Sequence, residues 1–390
     1  MAKVLIVLYP DPVSGYPPEY ARDSIPAISS YPGGASLPSP KSIDFVPGQL
    51  LGSVSGGLGL VEWLRSEGHQ VVVTSDKEGP DSVFQRELPD TDIVISQPFW
   101  PAYLTAELMD RAEKLQLVIT AGIGSDHTDL NAANARDITV AEVTYSNSIS
   151  VAEHTVMQVL VLVRDFVTQH QISVDGGWNI ADAVSRSYDV EGMRVGVFGA
   201  GRIGRAVMER LAPFGVRLAY TDRFRLPAEY EEKYSLTYHE SITELVTDID
   251  ILTVHAPLTD ETRGLLDDAL LSTMPRGAYI VNPARGAIAD RDAIVRALES
   301  GHLAGYAGDV WTPQPAPADH PWRRMPHNAM TTHTSGTSLS GQARYAAGTR
   351  EILECWFAGE PIRPEYLVVA GGSYQGVGAH SYAQQPKQQS

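Results

Sequence analysis

Six consecutive residues, Gly199-Ala200-Gly201-Arg202-Ile203-Gly204, constrain the fold of this chain more than any other segment. They follow an apolar run, Arg194–Phe198, that reads as a buried strand, and they open Arg202–Leu211, which reads as a helix. In that context each glycine has a task. The first permits a tight turn, the second lets backbone approach a pyrophosphate, and the third lets helix and strand pack closely. The helix N-terminus then offers free N–H groups and a partial positive charge to phosphate. A plain glycine turn between strand and helix is the weaker alternative. The next strand, Arg217–Thr221, ends at Asp222, where an acid accepts the ribose hydroxyls of NAD. A 2′-phosphate facing that carboxylate at ~4 Å and an effective dielectric of ~20 would be repelled by about 4 kcal/mol. NAD is therefore expected over NADP, with the neighbouring Arg223 softening the bias.

Strand–helix alternation extends through most of the chain, which predicts an α/β protein with parallel sheets covered on both faces. Before the glycine motif, strands are expected at Val4–Tyr9, Val71–Thr74, Asp92–Ser96 and Leu117–Thr120, with an amphipathic Leu58–Glu67 and a helix near Ala106–Lys114. After it, strands are expected at Ile249–His255, Ala278–Asn282, Gly305–Val310 and Ala329–Thr332. Helices are expected over Arg291–Glu299 and Gly341–Phe357. A length of 390 residues points to two domains, since single cores rarely grow beyond roughly 250–300 residues. The expected division is 1–148, an inserted 149–334, and a return at 335–390. Ser150–Phe166 is expected as one helix, apolar on several faces, suited to lie between domains or subunits. Pro10–Gly57 is Pro/Gly/Ser-rich but carries Tyr16, Tyr20, Tyr31 and Phe45. We read it as an ordered loop wrapping a surface rather than a floppy insertion.

Whole-chain properties exclude several functions. A net charge of −17 argues against nucleic acid and anionic membranes. The lone Cys355 permits no internal disulfide, iron–sulfur cluster or Cys-rich zinc site. The histidines form no HExxH pattern, so no metal is expected. No apolar run approaches the ~20 residues of a membrane span, and the N-terminal run is too short for a signal sequence. A cytoplasmic protein is expected.

Two further loops carry chemistry. Asn282-Pro283-Ala284-Arg285-Gly286 follows a buried strand, which places Arg285 at the carboxyl edge of a sheet, where ligands bind. Arginine grips carboxylates through two parallel hydrogen bonds. A surface ion pair is the alternative, but it does not explain the strand-end position. Asp309-Val310-Trp311 and His333-Thr334-Ser335-Gly336 close two more strands.

The succession of glycine motif, Asp222, N-P-A-R-G, A-G-Y-A-G-D-V-W and a late His333 is similar to the D-2-hydroxyacid dehydrogenase superfamily. The segments Ser96–Pro101 (SQPFWP), Thr120–His127 (TAGIGSDH), Asn147–His154 (NSISVAEH) and Gln314–Trp322 (QPAPADHPW) resemble its formate dehydrogenase branch, as does the long N-terminal loop. The resemblance covers nearly the whole chain. It implies two doubly wound parallel-sheet domains, a Rossmann coenzyme domain inserted in a flavodoxin-like catalytic domain. It also implies NAD as cofactor, formate as substrate and a homodimer, which we expect to be built around the Ser150–Phe166 helix with the proline-rich loop packing across. By the same resemblance, Arg285 and Asn147 hold the formate carboxylate, the Ile123 backbone adds a contact, and Pro98 and Phe99 form an apolar wall. His333, paired with Gln314, borders the substrate. Asp309 binds the nicotinamide carboxamide. Gly199, Gly201, Arg202, Ile203, Gly204, Asp222, Ser148, Pro257, Pro283, Ser335, Gly336 and Ser381 contact the coenzyme. Relatives commonly have Thr at the position of Pro283, and some carry Cys at those of Ser146 and Ala256.

Chemistry separates the branches. Oxidising a 2-hydroxy acid releases a hydroxyl proton and needs a base, usually His assisted by a carboxylate. Formate loses only a hydride. Gln314 stands where the hydroxyacid enzymes typically have Glu, and a neutral amide orients an imidazole without charging it. The alternatives are a glyoxylate or hydroxypyruvate reductase and an NAD-sensing binding protein. The latter is disfavoured because Arg285, His333 and Asn147 are all present. Among the other histidines, His154 reads as a core residue and His320 as loop-ordering; His255 is open between the two kinds of role.

Overall fold

The computed structural model describes residues 1–9 and 58–375. The Pro10–Gly57 loop and Ser381 lie outside the described residues. The chain divides into two compact units, one of Met1–Asn147 with Gly336–Ser390 and one of Ser148–Ser335.

The first unit starts with five strands, β1 (Lys3–Val7), β2 (Gln70–Thr74), β3 (Ile93–Ser96), β4 (Leu117–Thr120) and β5 (Thr139–Glu142). The second holds β6 (Arg194–Phe198), β7 (Arg217–Thr221), β8 (Thr237–Tyr238), β9 (Ile251–Val254), β10 (Ala278–Asn282), β11 (Leu303–Gly308) and β12 (Asn328–Met330). The chain then returns to the first unit with β13 (Leu367–Ala370) and β14 (Ser373–Tyr374).

In the first unit the strand order is β2-β1-β3-β4-β5-β13-β14. β1 to β5 are parallel; β13 runs antiparallel to β5, and β14 antiparallel to β13. This antiparallel edge is absent from the sequence-based reading. Its hairpin turns on Gly371 and Gly372, both at positive φ, the backbone that two-residue hairpins require and glycine supplies without strain. Alternate residues of the central strands serve opposite faces. Val4, Ile6, Ile93, Ile95, Leu117 and Ile119 pack with Ile352 and Leu353 of the C-terminal helix Leu339–Ala358. Leu5, Val7, Val94 and Val118 pack instead with Phe84, Met109 and Leu130. Each such aliphatic side chain contributes roughly 1.5–3 kcal/mol by leaving water, and both faces are covered, as parallel sheets require.

The second unit is parallel throughout, in the order β12-β11-β10-β9-β6-β7-β8. One face carries Leu252, Val254 and Ile280 against Ile294 and Leu298. The other carries Val195, Val197 and Val281 against Val159, Val163, Val207 and Leu211.

The long apolar helix ends earlier than its composition predicts. It spans Ser148–Val163, and a separate helix covers Phe166–Val174. Asp165 breaks them apart at φ 49°, a conformation that Asp tolerates better than most residues. Its carboxylate accepts from Thr168 Oγ1 at 2.9 Å. The helix buries Val151, Ala152, Thr155, Val159, Leu162 and Val163, and Gln158 Nε2 donates to Gly308 O at 3.1 Å. Ala152, Val159, Leu162 and Val163 pack in the core of its own unit, while Met157 on the same helix is 45% exposed. A run of further exposed apolar side chains follows it: Phe166, Val167, Val174, Trp178, Ile180, Val184 and Tyr188. Among the described residues, no helix is long and apolar enough to cross a membrane.

Candidate active site

β6 delivers the glycine motif to the carboxyl edge of the second sheet. Gly199 has φ 95°, and a Cβ there would lie 2.6 Å from Ala256 N. A Cβ on Gly204 would lie 2.1 Å from Gly199 O, so helix Arg202–Leu211 can approach its strand only without a side chain there. Gly201 differs: nothing lies within 4 Å of its Cβ position, and it caps the helix with no side-chain hydrogen bond. Open space before uncapped helix N–H groups is what a pyrophosphate needs. Arg202 and Ile203 form the first turn. Asp222 follows β7, its Oδ2 accepting from Ala200 N at 2.7 Å and its Oδ1 from Phe224 N at 2.9 Å. These bonds fix the carboxylate and leave lone pairs for ribose hydroxyls.

Among the buried polar atoms of this unit that lack a hydrogen-bond partner are Asp309 Oδ1 and Ser148 Oγ, on residues at 0% exposure. Asp309 follows β11 and is held by Ser335 N, which donates to Oδ2 at 2.6 Å. A buried carboxylate oxygen with no donor calls for one from outside the chain. The carboxamide of a nicotinamide is such a donor. Together with the open space at Gly201, these orphans fit NAD. Pro257 lies past β9, its carbonyl accepting from Thr262 Oγ1 at 2.7 Å. His255, between β9 and Pro257, is half-buried with its Nε2 inaccessible, and desolvation pushes its imidazole down to about 3, so it is neutral at physiological pH.

Pro283 and Arg285 follow β10. Asn282 ties the turn, Nδ2 donating to Arg285 O at 3.0 Å and Oδ1 accepting from Ala284 N at 3.1 Å. Arg285 Nη1 donates to Ala284 O at 2.8 Å. Gly286 must be glycine here, because a Cβ would meet Trp311 C at 2.6 Å. The Gln314 amide lies against His333 Nδ1, with Nε2 at 2.9 Å and Oε1 at 3.1 Å. His320 orders the same loop: its Nε2 donates to Thr312 O at 3.0 Å, and its Nδ1 accepts from Trp322 N at 3.2 Å. His154 Nε2 lies 3.4 Å from Thr331 Oγ1, and burial lowers its pKa.

In the first unit, Pro98 and Phe99 follow β3, while Gly122 and Ile123 follow β4. A Cβ on Gly122 would meet Pro98 Cδ at 2.9 Å, so the two strand ends close on each other only with glycine at 122. Glu142, buried at the end of β5, holds the Ile123 turn by accepting from Gly124 N at 3.1 Å and Ser125 Oγ at 3.2 Å. Sequence reasoning overlooked Glu142; a carboxylate closing an otherwise apolar strand was the available signal. Asn147 is buried, with Oδ1 unpartnered. Its Nδ2 lies 2.7 Å from where a Gly336 Cβ would sit, so a side chain at 336 would displace it. Ser146 donates to Val143 O, and Ser335 is buried beside Gly336 at the end of the second unit.

Residues 156–335 match the family model for the D-isomer specific 2-hydroxyacid dehydrogenase, NAD binding domain. The formate dehydrogenase of Pseudomonas sp. (strain 101) is 63% identical over 98% of this chain and 96% of its own. Among solved structures, the Granulicella m. formate dehydrogenase has a TM-score of 0.94 at 64% identity, covering 96% of this chain and 100% of that one. An NAD-dependent formate dehydrogenase from Staphylococcus aureus, solved in complex with NAD, has a TM-score of 0.79 at 41% identity, covering 94% of this chain and 99% of that one. Identity of this extent, carried over nearly the full length of both chains, places the protein: it belongs to the NAD-dependent formate dehydrogenase family, a branch of the D-2-hydroxyacid dehydrogenases.

Proposed function

We propose that the chain oxidises formate to carbon dioxide, a hydride passing from the formate carbon to NAD to give NADH. The observation that carries this reading is the contact between His333 and the neutral amide of Gln314. Bound NAD supplies the electrophilic nicotinamide carbon that accepts the hydride. The chain's own groups do the rest. Arg285 holds the formate carboxylate through its guanidinium fork, and Asn147 donates an amide N–H to it. The backbone at Ile123 adds a contact. Pro98 and Phe99 keep water from the reacting carbon. Gly199, Gly201, Arg202, Ile203 and Gly204 receive the pyrophosphate, Asp222 the ribose and Asp309 the carboxamide. Ser148, Pro257, Pro283, Ser335 and Gly336 supply further coenzyme contacts. Charge balances without proton transfer, because formate and oxidised nicotinamide give neutral carbon dioxide and NADH. The test is NADH formation from formate after exhaustive chelation, compared with activity on glyoxylate and hydroxypyruvate. Undiminished formate activity is expected. Loss restored by a metal, or higher activity with the two oxo acids, would contradict the reading.

Both amide atoms of Gln314 lie within reach of His333 Nδ1. We assign the amide Nε2 as the donor to Nδ1, which leaves the imidazole proton on the ring Nε2, a neutral donor towards the substrate. A carboxylate at 314 would accept from Nδ1–H instead and leave Nε2 bare, the state suited to taking up a hydroxyl proton. Gln314→Glu is therefore expected to raise the formate KM about tenfold, the loss of one charge-assisted hydrogen bond. Its activity should also fall as pH rises, because an Nε2 donor then exists only in the imidazolium form, present below the ring's pKa and lost above it. The parent's kcat should stay nearly flat across neutral pH. A parent kcat falling about tenfold per unit below neutral pH would reveal an obligatory base.

We further propose that the chain works as a homodimer. The support is the exposed apolar series from Phe166 to Tyr188, in which Trp178 is 89% and Ile180 67% exposed. Apolar exposure on this scale marks an interaction surface.

A further inference from the structure

The order of the first sheet reverses between β1 and β3, and open α/β sheets bind ligands beyond the strand ends at such a switch point. Gln97 is the first residue past β3. It is 0% exposed, and neither its amide oxygen nor its amide nitrogen has a hydrogen-bond partner. Native structures rarely leave a buried amide unpaired at both ends. Its surroundings are fixed. Trp100 N donates to Gln97 O at 3.1 Å. Ser96 Oγ lies 3.0 Å from His127 Nε2 and accepts from Ala102 N at 3.3 Å. Gln97 therefore sits in a rigid turn, directly before Pro98, whose ring closes on Gly122 at the end of β4.

We infer that Gln97 is a further binding residue for the formate carboxylate, its amide N–H groups donating to a carboxylate oxygen. The inference rests on the formate reading above. The chemistry suits the reaction, because an amide binds the anionic substrate through two available donors. It carries no charge with which to hold the neutral product.

The experiment compares the parent with Gln97→Met, similar in length but without donors, and Gln97→Glu, similar in shape but anionic. Formate KM, NAD KM and Tm are measured for each. Gln97→Met should raise formate KM about tenfold, as expected for losing a hydrogen bond to a charged group. NAD KM should stay within about twofold, and Tm should not fall, since the substitution removes an unsatisfied buried amide. Gln97→Glu should raise formate KM further by like-charge repulsion, and it remains readable if the methionine variant does not fold. An active parent with formate KM within about twofold in the folded variants overturns this inference alone. A lowered Tm in Gln97→Met with unchanged formate KM does the same and assigns Gln97 a structural role. A parent that reduces no NAD with formate overturns the formate reading and this inference with it.

Discussion

Replacing Arg285 with alanine is expected to lower kcat/KM for formate about a thousandfold while leaving NAD affinity within severalfold of the parent. A guanidinium fork makes two charge-assisted hydrogen bonds to a carboxylate. Each contributes about 1.5–3 kcal/mol, and ~4 kcal/mol corresponds to about a thousandfold. The turn itself should survive, because it is tied by Asn282, whose Nδ2 bonds the backbone oxygen of residue 285 rather than its side chain. Arg285→Lys keeps the charge but not the fork, so it should recover only part of the loss. Steady-state kinetics with each substrate varied, alongside NAD titration by fluorescence, separates the two affinities. A formate kcat/KM within tenfold of the parent in Arg285→Ala would remove Arg285 from the substrate.

The second large effect concerns assembly. Trp178→Asp combined with Ile180→Asp should convert a dimer into a monomer at micromolar concentration, read by light scattering. Buried aromatic anchors at interfaces cost roughly 2–4 kcal/mol each when truncated, and an unpaired carboxylate buried in an apolar contact adds a desolvation penalty of several kcal/mol. Both side chains are largely exposed within their own unit, so the double variant should fold with little change in Tm. A monomeric parent, or a double variant of unchanged mass, would contradict the assignment of this surface.

What could be read from the sequence was what one-dimensional spacing encodes. The three glycines, Asp222 at the end of its strand and Arg285 past β10 all follow apolar runs that can hardly be anything but buried strands. The pairing of Gln314 with His333 came from resemblance, and the structure brings the two side chains into contact. What escaped depends on tertiary packing. The end of the apolar helix turns on Asp165 adopting a left-handed backbone, which no periodicity announces. β13 is four residues long and antiparallel to its neighbour, too short to distinguish from a loop by alternation. Gln97 lies inside a recognised motif, yet its unpaired amide becomes visible only once its neighbours are placed. His255 was open between roles for the same reason, since its neutrality follows from the desolvation of its imidazole.

Direct hydride transfer from formate is tested most directly by following the formate hydrogen itself. With deuterated formate and NAD in ordinary water, the chain should produce NADH carrying one deuterium on the nicotinamide ring, with none released to solvent and with no metal added. NADH formed without deuterium, or deuterium appearing in the water, would contradict it.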